Sequence, residues 1–194
     1  YGNEIEAHHN GIDIDKSYGI DAGYNTIYAG NNGVNITDSS DVTVHDNSIN
    51  ADKTGVYVDP SYNIHVTGNT ITGGLYGVVF YDTHNSNISG NTMTGSYWDG
   101  IDLIYSSDID GDNNSIHDIG YDGVYIYAGN DIHVFENGIY NIGHNGVSVV
   151  NSYPYYDLGK GDYWYNIVID KNEIYNIANN GVDIRDSGSV LVDE

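Results

Sequence analysis

The chain has 194 residues, with 5 Lys plus Arg against 28 Asp plus Glu, a formal net charge of −23. That balance argues against nucleic acid or an anionic membrane surface as partner, since both need positive charge to displace counterions. It has no cysteine for a disulfide framework and no apolar run of membrane-spanning length.

The first repeat sets a pattern: Asn3, Ile5, Gly11, the alternating pair Ile12/Ile14, and Ser17. The second restates it as Asn25, Ile27, Gly33, Val34/Ile36 and Ser39, and adds a further pair, Val42/Val44. The third runs Asn47, Ile49, Gly55, Val56/Val58, Ser61 and Ile64/Val66; the fourth Asn69, Ile71, Gly77, Val78/Phe80 and Thr83. The fifth gives Asn91, Met93, Gly100, Ile101/Leu103 and Ser106, and the sixth Asn114, Ile116, Gly123, Val124/Ile126 and Ile132/Val134, with Gly129 in place of the hydroxyl. The seventh gives Asn137, Ile139, Gly146, Val147/Val149, Ser152 and Ile167/Ile169, and the eighth Asn172, Ile174, Gly181, Val182/Ile184, Ser187 and Val190/Val192. The Asn steps are 22, 22, 22, 22, 23, 23 and 35.

A fixed period of this length means one unit stacked on itself. Each repeat offers three short, β-branched, period-2 strands, and no window shows helical spacing. The separating turns are not two-residue hairpin loops, so each strand pairs in parallel with its copy in the next coil. The expected fold is all-β: a single-domain parallel β-helix over 1–194, about eight coils of 22–23 residues, with three parallel sheets. The Asn column is expected to form a buried ladder and the Ser column to mark a second corner. The glycines are expected where the backbone needs φ > 0. Neither end shows a cap in the sequence. The ends stop in phase, so copies are expected to stack head to tail, unless the caps belong to a longer chain.

These columns, seen in Gly68-Asn69-Thr70-Ile71-Thr72-Gly73-Gly74-Leu75-Tyr76-Gly77-Val78-Val79-Phe80, resemble the right-handed parallel β-helix repeats of the pectate-lyase-like superfamily. The resemblance covers essentially the whole chain and implies a right-handed coil. It also implies a role among carbohydrate-binding, sugar-hydrolysing or surface proteins. The enzyme motifs of that superfamily do not carry over. Tyr57-Val58-Asp59-Pro60 begins like a mannuronan epimerase signature, but Ser61 and Tyr62 follow where His and Asp belong. Gly143-His144-Asn145 only echoes a polygalacturonase motif. None of Lys16, Lys53, Lys160, Lys171 and Arg185 falls in a pectate-lyase motif.

Chemistry would then sit on the outward positions. An aromatic and acidic face is expected from Tyr57, Tyr81 and Tyr127, suited to sugar rings; tyrosine is equally at home on any exposed β surface. The 35-residue step inserts a Tyr-rich loop at 153–165, and Tyr155, Tyr156, Tyr163 and Trp164 are candidate contacts there. For an enzyme the candidates are Asp99, Asp102 and Asp122 as paired acids, assisted by Tyr125 and His144, against a reading as a solvated acidic edge. Asp108, Asp110 and Asp112 are a candidate Ca²⁺ group, and no other cofactor is expected. Asn35, Asn87 and Asn113 head glycosylation sequons. Two functions follow: an extracellular structural subunit stacked into a filament, sheath or surface layer, or a polysaccharide-binding, -cleaving or -epimerising β-helix.

Overall fold

In the computed structural model, which describes residues 2–153 and 166–193, the chain winds as a parallel β-solenoid of about eight coils. No residue among those described is helical.

The first face is an eight-stranded sheet from Glu4–Ala7 to Glu173–Ile177. Its register puts like on like: Ile27 pairs with Ile49, Ile49 with Ile71, Ile71 with Met93, Met93 with Ile116, and Ile116 with Ile139. The second face runs from Ile12–Asp15 to Val182–Arg185 and the third from Tyr18–Gly23 to Val190–Val192. These two faces are hydrogen-bonded into one 14-stranded sheet, a difference from three separate sheets. The join is made by Asn32–His45 and Thr54–Thr67, 14 residues each, which pair through the corner at Ser39↔Ser61. The core is the stack of inward Ile and Val, with Phe80 and Met93 as its largest irregular members.

The Asn ladder holds the first corner. The backbone N–H and Nδ2 of Asn25 donate to Asn47 Oδ1 at 2.8 and 3.1 Å, and the pattern repeats through Asn47, Asn69, Asn91, Asn114 and Asn137. At the second corner Ser17 N–H donates to Ser39 Oγ at 3.0 Å, and Ser152 N–H to Ser187 Oγ at 3.0 Å.

The recurrent glycines correct one expectation. Gly33, Gly55 and their equivalents do not have positive φ. They are small because the coils approach closely: a Cβ on Gly55 would lie 2.6 Å from the Gly77 carbonyl oxygen and would strike Ile71 Cγ2. The left-handed conformation falls instead on corner residues, most of them Asp or Asn, such as Asp38, Asp46, Asp82, Asn85, Asp108 and Asp118. Short polar side chains tolerate that conformation. Many of the acids are therefore corner-formers, which leaves Asp99, Asp102 and Asp122 as acids needing another reason.

Candidate active site on the outer face of the second sheet

Strand alternation points Val79, Asp102, Tyr125 and Ser148 outward, in consecutive register. Outward here does not mean exposed. Asp102 is 6% accessible, Ser148 is fully buried, and beside them Asp99 and Asp122 are 8% and 0% accessible.

Asp99 and Asp122 belong to a second polar ladder, one residue before each recurrent glycine: Asn10, Asn32, Thr54, Tyr76, Asp99, Asp122, Asn145 and Asn180. Here the backbone N–H of one coil donates to the side-chain oxygen of the coil before. Asn32 N–H donates to Asn10 Oδ1 at 3.3 Å, Asp122 N–H to Asp99 Oδ1 at 2.9 Å, Asn145 N–H to Asp122 Oδ1 at 2.9 Å, and Asn180 N–H to Asn145 Oδ1 at 3.2 Å. An amide occupies this slot in four coils, and Asn10 and Asn145 accept that N–H through it. Coils five and six place carboxyls in the same slot, so the scaffold does not demand their acidity.

Burial raises the carboxyl of Asp102 to about 8, reinforced by Asp99 and Asp122. Burial likewise lifts Asp99 to about 7; the Asp122 N–H bond pulls down, Asp122's charge pushes up, and His144 opposes it. Around neutral pH Asp102 holds a proton. His144 Nδ1 lies 2.7 Å from Asp122 Oδ1, and Asn145 Nδ2 is 2.8 Å from the same ring nitrogen. Asp102 Oδ1, Asp122 Oδ2 and Ser148 Oγ are buried without a hydrogen-bond partner. Tyr76 and Tyr125 stand against the cluster, and burial followed by Asp102 raises both phenols.

Aromatic rings flank the carboxyls on both sides. Ahead of the strand, Trp98 meets Tyr121 edge to face at 5.7 Å, and Tyr121 stacks on His144 at 4.2 Å. After the strand, Tyr81, Tyr105 and Tyr127 form an edge-to-face ladder at 5.5 and 5.6 Å. Tyr57, two coils before Asp102, donates to Asp59 Oδ2 at 3.1 Å, and burial with Asp59 raises it to about 12.

The candidates Asp99, Asp102, Asp122, Tyr125 and His144 are thus brought together, and the solvated-edge reading does not describe buried carboxyls. Tyr76, Trp98, Tyr105 and Tyr121 join them as residues the sequence reading did not place there, and Ser148 joins them as an outward position of the Asp102 column. The signal for Trp98, Tyr121 and His144 was present as a 23-residue beat. The loop candidates Tyr155, Tyr156, Tyr163 and Trp164 lie outside the described residues.

Asp108, Asp110 and Asp112 border one 430 Å³ concavity on the third face, with His65, Asn87 and Phe135 among its lining, but each is engaged separately. Asp108 turns off at a left-handed corner and accepts from Ser107 Oγ. Asp110 sits 3.3 Å from His133 Nδ1, and Asp112 accepts from Ser89 Oγ at 3.0 Å. Among the described residues no three His, Asp or Glu are placed to hold a metal ion. A 670 Å³ concavity lies along the first sheet and the turn that follows it, beside Glu6, His8 and Tyr28. Neither concavity is lined by an unpartnered buried side chain, so the second face remains the stronger site. Asn35 and Asn87 are tied into side-chain pairs, with Asp13 and His65 respectively, and exposed Asn113 sits at a corner beside Asp112.

The family model described as "right handed beta helix region" matches residues 54–194. No curated protein matches the chain in sequence. Among solved structures, a double mutant of the periplasmic alginate epimerase AlgG aligns at TM-score 0.71 with 16% identity, covering 94% of this chain and 47% of that one. The A-module of an Azotobacter vinelandii mannuronan C-5 epimerase aligns at 0.62 and 16%, covering 97% and 57%. The full-length tailspike protein 2 of an Escherichia coli O157:H7 bacteriophage aligns at 0.58 and 15%, covering 96% and 30%. The chain spans about half the length of the two epimerases and under a third of the tailspike. At such identities the likeness is one of fold.

Proposed function

This chain belongs to the right-handed β-helix family, and from that premise we propose that it acts on a polysaccharide laid along the outer face of its second sheet. The observation that carries the proposal is a buried carboxyl, Asp102, kept protonated between two rows of aromatic rings, with an oxygen that nothing among the described residues satisfies. Flat rings stack on the C–H faces of sugars, and a carboxylic acid still protonated at neutral pH is a proton donor. The alginate and mannuronan epimerases among its neighbours favour this reading over the filament or surface-layer subunit. A place outside the cytoplasm suits such a substrate.

Hydrolysis fits the residues better than lyase or epimerase chemistry. Those two reactions remove a proton beside a uronate carboxylate and need cations to hold it. Among the described residues Arg185, whose charge opposes the rise of the Tyr125 phenol, is itself paired with Asp183 at 2.7 Å. In hydrolysis, Asp102 gives its proton to the glycosidic oxygen as the C1–O bond breaks. A water beside the partly exposed His144 ring attacks C1 and leaves its proton on the imidazole. His144 and the Asn145 N–H hold Asp122 through Oδ1. Burial, reinforced by Asp99, keeps Asp102 protonated.

Titration of oligosaccharides from neutral and amino-sugar polymers, with Tyr121→Ala and Tyr105→Ala beside the parent chain, tests this face. Each variant is expected to weaken binding by about tenfold. Unchanged affinity in both would place the ligand elsewhere.

A further inference from the structure

We infer that His45, in its charged form, latches the first coil onto the second across the third face, and that losing its proton frees the first coil to open. The latch lies on a different face from the candidate active site and stands apart from the polysaccharide reading.

His45 ends the strand Asn32–His45 and points outward from the third face. Its Nε2 lies 2.7 Å from Asp21 Oδ1 on the first-coil strand Tyr18–Gly23, and its Nδ1 lies 2.9 Å from Asp46 Oδ2 at the next corner. An ionised carboxylate only accepts hydrogen bonds, so both ring nitrogens must donate, and only the imidazolium has two N–H groups. Among the described residues no other histidine faces a carboxylate through each nitrogen. His84 meets Asp82 and Ser107, His117 meets Asp118, His133 meets Asp110, and His144 meets Asp122 through Nδ1. The seat is shaped for the ring, which lies across Gly23, where a Cβ would come within 2.3 Å of Nε2. Tyr24 meets the ring edge to face at 4.9 Å.

The charges around the ring come from both coils. Asp21 faces it from the first coil and Asp46 from the corner, and the imidazole is 18% accessible, so water screens the pairs only in part. In register beyond it stands Thr67, which is uncharged. At neighbouring positions His65 is turned to Asn87 and Asp41 to Asn63. The bond to Asp46 leads in holding the imidazole above its usual 6.5; burial opposes it, and Asp21 adds a bond and its charge. A histidine raised in this way stabilises the fold fully below about pH 6.5, and that stability is lost as pH rises through the folded value. The neutral ring keeps one N–H, so either Asp21 is released or the ring loses its hold on Asp46, and the bridge is broken in both cases. In a solenoid each coil is held by its neighbours, so the loss falls on the boundary between the first two coils. The Tyr24 N–H spans that boundary, donating to the His45 carbonyl at 3.1 Å.

The test is hydrogen exchange read residue by residue and corrected for intrinsic rates, with the ring titrated in parallel by nitrogen NMR. Protection of the Tyr24 amide is expected to fall by about fivefold or more between about pH 5.5 and about pH 8.5, the effect of losing roughly one hydrogen bond. His45→Gln should lose most of that change. Asp21→Asn should lower the midpoint of the ring while leaving the chain folded, since the Asp21 side chain is 62% accessible. Asp110→Asn, which removes an acid elsewhere on the third face, should leave both readings as they are. A ring already neutral at about pH 6.5, a midpoint unmoved in Asp21→Asn, or an equal fall in protection in the parent chain and His45→Gln overturns the latch.

Discussion

Asp122 has no accessible surface and still keeps one oxygen unpartnered, in a slot where the amide oxygen of Asn145 does the same structural work. Buried acids weaken the fold, and for Asp99 and Asp102 pH shows by how much. Asp99 and Asp102 titrate in the native chain near 7 and 8, well above the usual 3.8. Between those limits the folded chain holds protons that the unfolded chain has released. Stability from these groups is therefore complete below about pH 4 and is lost as pH rises through 7 and 8. The slope is roughly 1.4 kcal/mol per pH unit for each fully protonated group. Denaturation at pH 5 and pH 8 should show a less stable chain at pH 8. Asp99→Asn should narrow that difference, since its Oδ1 still accepts the Asp122 N–H; an unchanged gap would contradict the account. In activity the same proton matters, and turnover should fall as pH rises past about 8, where Asp102 loses it.

At the scale of the coil, the Asn ladder and the glycine column do different work. Asn69 accepts from Asn47 and donates to Val44 O and to Asn91. Asn69→Ala would leave a buried N–H and a buried carbonyl unmet, at about 1–3 kcal/mol each. A lower urea midpoint with an unchanged slope would report this. Gly55→Ala should be more damaging, because Cβ meets backbone of the next coil, which has no room to retreat. Recovery of near-native stability in Gly55→Ala would show that the coils can separate. The Asn and Gly columns and the inward Ile and Val were legible because they recur unchanged. The second ladder was not, since its residues change from Asn to Thr, Tyr and Asp along the stack. The burial of Asp102 was equally hidden. Alternation along Ile101–Ile104 places it outward, and only the neighbouring coils show that this outward position is covered.

For the whole molecule, charge is the dominant long-range term. Acids at the corners give the chain net repulsion along its length, and salt screens it over about 10 Å at 0.1 M. The melting temperature should rise with NaCl, and a fall would mean that ion pairs outweigh repulsion. The fold itself leaves function to what the outer face carries. Here that is a protonated aspartate between aromatic rows, and its chemistry is the central claim. The direct measurement is reducing-end release near pH 6 from a panel of neutral and amino-sugar polymers, by the parent chain and by Asp102→Asn. The account predicts release from at least one polymer and a loss of about 100-fold or more in Asp102→Asn, with oligosaccharide binding retained. Release that is undiminished in Asp102→Asn, or absent from every polymer in the parent chain, would contradict it.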